Sequence, residues 1–149
     1  MREILLVIHI LAAAAWIGGS AAQMMLVPPL LRAGGETAKT WMTTFVTMGR
    51  VFYTPAAIVV LASGVGLVLN SSLYEFEQVF AVIGIVMVLI GGGLGARVYA
   101  PKARVAADAF GSGDTATATA AAGLISRAAV VELALLVVTV AAMVYRWGA

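Results

Sequence analysis

His9 is the single histidine of this chain, and it stands in an apolar run with Trp16 two helical turns further on. A titratable side chain inside such a run marks a candidate functional site. Three readings of the imidazole stay open: a buried hydrogen bond to a neighbouring helix, ligation of haem iron or copper, or a proton relay. Neutral imidazole suits iron and copper, and thioether sulfur suits Cu(I). Haem iron accepts an axial His or a His/Met pair, so Met143 is the candidate second ligand within the chain, and His9 of a second copy is an alternative. Met24, Met25 and Met42 are further thioethers that could attract Cu(I). Glu132 is the other chemically loaded residue, a carboxyl inside an apolar stretch. It either pairs with Arg50 or Arg97 or carries a proton or substrate role.

These residues sit on elements that composition defines. Of 149 residues, 62% are hydrophobic and 11% charged, against about 25% charged in an average soluble domain. Four apolar stretches, about 4–31, 51–70, 76–97 and 126–146, approach or exceed the ~20 residues that cross a hydrocarbon core as helix. None alternates as a membrane β-strand does. The expectation is an all-α, integral membrane four-helix bundle, one transmembrane domain over 1–149. The absence of cysteine removes disulfides and thiolate metal sites. A net charge of +2 without a basic stripe argues against nucleic acid. The first apolar run is longer than the apolar core of a secretion signal, and more membrane follows it, so no cleavable leader is expected.

Breaks between the spans are expected at Gly34-Gly35, at Asn70-Ser71-Ser72 and at Gly111-Ser112-Gly113-Asp114. Ser72 and Glu75 have the spacing of a capping box for the third helix. The Ala/Thr tract Thr115–Ala122 should extend the fourth helix, because alanine is the best helix former. Arg32, Lys39 and Arg50 lie between the first two spans, and Arg97, Lys102, Arg104 and Arg127 between the last two. The positive-inside rule puts both basic segments in the cytoplasm and both termini outside, in the inner (plasma) membrane.

Helical spacing puts His9, Ala12, Ala13, Trp16, Ser20 and Gln23 on one stripe of the first helix, the most polar one, which should face the bundle interior. Glu132, Thr139, Met143 and Arg146 make the stripe of the fourth. The second carries Tyr53, Ala57, Gly64 and nearby Gly66, with Pro55 near its cytoplasmic end. The third carries Gly84, Met87, Gly91 and Gly95, the last two a G-x-x-x-G pair. Two levels follow. An outer site joins His9 to Gly64, Gly66 and Met143, the glycines leaving room for a flat macrocycle. An inner ionic cluster joins Arg50, Arg97, Arg127 and Glu132.

His9, Trp16 and Gly19 followed by Pro28, Pro29 and Arg32 resemble a group of small four-helix bacterial membrane proteins. The group includes the copper-resistance D type membrane domain, an uncharacterised predicted integral membrane family and the four-helix protoporphyrinogen oxidase. Met48-Gly49-Arg50, Tyr53-Thr54-Pro55-Ala56 and Gly64 are similar to the oxidase, whose other histidines and third-helix lysine have no counterpart here. Pro101-Lys102 and Met143-Val144-Tyr145-Arg146 look more like the uncharacterised family. The oxidase resemblance implies haem b bound through His9, and the copper-resistance resemblance implies copper import. The resulting expectation is a homo-oligomeric haem b protein of the bilayer, with His9, Trp16, Gly64, Gly66 and Met143 around the cofactor. It would serve electron transfer or haem-linked oxidation with a redox partner. Copper or small-solute handling, or a non-catalytic membrane subunit, are the alternatives.

Overall fold

The computed structural model describes residues 1–71 and 75–148, and among them every regular element is helical. Four long helices form the chain: α1 Arg2–Ala33, α2 Gly35–Leu69, α3 Val79–Ser112 and α4 Thr115–Val144. All four are long and apolar enough to cross a membrane, so this is a multi-pass membrane protein of the four-helix bundle class. The outward faces carry Leu11, Val51, Ile58, Leu89 and Val137, all exposed. That pattern suits lipid as the solvent, where each helix satisfies its own backbone hydrogen bonds.

The helices exceed the apolar stretches read from sequence. At 1.5 Å per residue a helix of 32 residues is roughly 48 Å long, against a ~30 Å hydrocarbon core. The basic segments expected as loops are instead helical turns projecting past the apolar zone. Met42, Ala103, Ala106, Ala107, Ala121 and Ile125 supply an apolar seam that packs them together as helix. Gly34 at φ 65° ends α1, and Gly113 at φ 81° ends α3 in the left-handed region that glycine adopts freely. The α4 N-terminus is capped by Asp114, whose side chain accepts from Thr117 N–H, and the Ala/Thr tract is its first turns, as expected. Ser72 of the expected capping box lies outside the described residues. The third helix starts not at 76 but at Val79, after Gln78 in extended conformation.

Leu5 packs against Gly66, and Gly148 against Val79, with Phe80 N–H bonded to Trp147 O. Both termini therefore share one end of the bundle with the α2–α3 connection, and the Gly34 and Gly113 turns occupy the other. The spans interlock by fitting large side chains over glycines, the close approach that membrane helices use for packing.

Two segments depart from α-helix. Gly49–Tyr53 and Gly95–Tyr99 are π-helical turns, and each is followed by a proline two residues on, Pro55 and Pro101. Proline has no N–H to continue the ladder. The residue before it bonds one position further back, Thr54 N–H to Gly49 O and Ala100 N–H to Gly95 O. Pro55 stands in the first turn of the α-helical segment that follows the π turn, in a continuous helix that absorbs one extra residue ahead of it.

Candidate functional site

The polar stripe of α1 does face inward. Trp16 and Gln23 are buried, and His9, Ala12, Ala13 and Ser20 are half-buried. His9 Nδ1 lies 3.0 Å from Val60 O and 3.0 Å from Ser63 Oγ of α2. A carbonyl only accepts, so in the neutral ring Nδ1 carries the proton and Nε2 keeps the bare lone pair. Ser63 was missed from sequence. Its signal was available: a hydroxyl next to Gly64 in an otherwise apolar span.

His9 lines an apolar cavity of about 40 Å³ with Trp16, Met87, Leu136, Thr139 and Met143 among its walls. The structure thus brings His9, Trp16 and Met143 together, as the stripes of α1 and α4 implied. It does not open the slot expected at Gly64 and Gly66. A Cβ on Gly64 would stand 3.2 Å from His9 Cε1, and one on Gly66 would stand 3.2 Å from Leu5 Cδ1. The glycines accept side chains of α1, so their space is already filled. Met143 fills the equivalent space over Gly84. Sites for cofactor-sized ligands run from about 300 Å³ upward, and the cavity beside His9 is far smaller than that.

The inner ionic cluster is not formed. Arg50, Arg97 and Arg127 are exposed on the outside of the bundle, while Glu132 is buried at 6% exposure and meets a phenol instead of a cation. Tyr99 Oη donates to Glu132 Oε2 at 2.5 Å, and the Trp16 indole N–H faces the same carboxyl. The reason is rotational. Tyr99 follows Gly95 by four residues and shares the inward face, whereas Arg97, two residues before Tyr99, falls on the opposite, exposed face. On α2 the matching turn faces Tyr53 inward and Arg50 outward. Tyr53 packs in the cluster of Trp16, Met87 and Leu136. Its hydroxyl is buried without a hydrogen-bond partner among the described residues, with Ser20 beside it. Tyr99 was missed as well. Its signal is the repeat Gly-x-x-x-Tyr-x-Pro at 49–55 and 95–101, which places two phenols at one level of an antiparallel pair. Gly91 of the G-x-x-x-G pair admits Trp16, whose Cζ2 lies 2.6 Å from the ideal Cβ position, whereas Gly95 meets nothing within 4 Å.

Compared with protein-family models, curated proteins and solved structures, the chain matches none. The reading of its site therefore rests on these contacts. Two polar centres occupy the core at different depths, an imidazole–thioether cavity towards the end that holds the termini and a carboxyl–phenol–indole cluster deeper in.

Proposed function

We propose that this chain is a multi-pass protein of the inner (plasma) membrane that binds a single soft cation, Cu(I), between His9 and Met143. One observation carries the reading. The imidazole is fixed through Nδ1 to the Val60 carbonyl, which leaves Nε2 as the free donor, and Met143 lines the same small cavity. Metal-ligating histidines are oriented in this way, through a hydrogen bond on the other ring nitrogen. Imidazole and thioether together favour Cu(I) over hard divalent ions. A cavity of about 40 Å³ is the size for an ion or a water molecule. The resemblance of the His9–Trp16–Gly19 pattern to copper-resistance D type domains points the same way. Copper handling, by transient binding within the bilayer, is thus preferred to haem-linked oxidation.

The test is a competition titration of the purified protein with Cu(I) under reducing conditions, against a coloured Cu(I) chelator. Wild type should withdraw one equivalent of copper, and His9→Ala and Met143→Leu should each lose that capacity while remaining folded. Equal withdrawal by wild type and His9→Ala would remove the copper site. A Soret band in protein expressed with haem available, absent from His9→Ala, would overturn the single-ion reading in favour of haem.

A further inference from the structure

Glu132 takes no part in the His9 cavity, yet it is the costliest residue in the bundle to leave unassigned. It lies beside Trp16, which stands near the middle of α1, in the apolar depth of the protein. A buried carboxylate there is expensive unless a cation neutralises it, and intramembrane carboxyls of this kind mark ion or proton pathways. No lysine or arginine pairs with Glu132 among the described residues, where the ion pair found is the exposed Lys39–Glu36. The groups that do face it come from all three other helices. α3 supplies the Tyr99 hydroxyl, α1 supplies the Trp16 indole and, near Tyr53, Ser20, and α2 supplies the Tyr53 phenol. None of these carries a fixed charge.

We propose that Glu132 is a proton-binding site, a carboxyl that takes up and releases one proton within the membrane. The arrangement serves both forms. The carboxylate accepts from Tyr99 Oη and the Trp16 indole, hydrogen bonds of the charge-assisted kind. The acid form has an O–H to donate, and the buried Tyr53 phenol, beside Ser20 and near the carboxyl, is an acceptor. Uptake forms one O–H bond at a carboxyl oxygen with a proton from bulk water, and release returns it. No oxidant or reductant is involved. Each phenol is the last residue of a π turn, and π turns inside helices recur at functional sites. The site is distinct from the copper pair, since Glu132 is not among the residues lining the His9 cavity, although Trp16 borders both.

The experiment is carbodiimide modification of the whole protein in vesicles. Dicyclohexylcarbodiimide partitions into apolar regions and adds to a protonated carboxyl. Intact mass and peptide mapping then report where it went. Wild type should gain one adduct at Glu132, at a rate that falls as pH rises, and Glu132→Gln should lose it. Tyr99→Phe removes a donor that favours the carboxylate, so it should hold the labelling to higher pH. Adducts confined to the water-facing carboxyls Glu36, Asp108 or Asp114, or labelling of Glu132 that ignores pH, would overturn the proposal. So would a Tyr99→Phe profile that superimposes on wild type. Thermal melts of each variant separate loss of the site from loss of the fold.

Discussion

Gly91→Ala tests the packing that brings Trp16 and Glu132 together. The added methyl would stand 2.6 Å from Trp16 Cζ2, 2.9 Å from Cη2 and 3.3 Å from Glu132 Oε1. The first two distances are shorter than Cβ contacts tolerate. The indole is a rigid ring buried at 4% exposure, so it cannot swing away as the end of a flexible chain would. Overpacking of a close-packed interior costs about 1–3 kcal/mol. Alanine recovers part of this through its helix propensity, about 1 kcal/mol over glycine. The net expectation is a loss of about 0–2 kcal/mol. Gly92 on the same helix meets nothing within 4 Å, so Gly92→Ala should gain about 1 kcal/mol from propensity alone. The contrast between the two neighbours, about 1–3 kcal/mol, is the measurable quantity. Equilibrium unfolding in mixed micelles, followed by helical circular dichroism, reads it. A double-mutant cycle adds a second check. Trp16→Phe removes Cζ2 and Cη2, so Gly91→Ala should be tolerated better in that background, with a coupling above the ~0.5 kcal/mol expected of independent sites. Equal stability of Gly91→Ala and Gly92→Ala, together with additivity in the cycle, would refute the fit of Trp16 over Gly91.

Three further outcomes follow. Cysteine placed at Ser71 should react with an impermeant thiol reagent applied outside and cysteine at Ser112 should not, because the basic segments favour the cytoplasm; the reverse pattern would invert the bundle. Met42 is fully buried in the seam of the projecting helices, so Met42→Ala should cost about 2–5 kcal/mol in the same unfolding assay. Hydrogen bonds from the Thr117 side chain and backbone N–H hold the Asp114 carboxyl below its ordinary value of 3.8. The folded protein thus favours the ionised cap: its stabilisation is full at neutral pH and is lost as pH falls below 3.8. Melting points of wild type should drop across that acid range relative to Asp114→Asn, which keeps a cap that does not titrate.

Much of this protein is legible in one dimension because lipid imposes a simple rule on sequence. An apolar run either crosses or it does not, and the four spans follow from hydropathy alone. The inward stripe of α1 is also readable, since helical spacing puts His9, Trp16, Ser20 and Gln23 on one face whatever surrounds it. The turns at Gly34 and Gly113 follow from backbone freedom that glycine has and other residues lack.

Tertiary structure decided what meets what. Hydropathy ends where charges begin, so it truncated α2 and α3 and made loops of helical turns that the Met42 seam holds together. A glycine announces space but not its occupant. Gly64 and Gly66, read as room for a macrocycle, receive His9 and Leu5, because the helices close until side chains touch. Charge attraction suggested that Glu132 would pair with Arg50 or Arg97. Pairing needs both groups on the inner face, and in the folded bundle Tyr53 and Tyr99 take that face while Arg50 and Arg97 are exposed. One extra residue in a helix shifts every later side chain by about 100°, and only the folded backbone records whether that residue was absorbed.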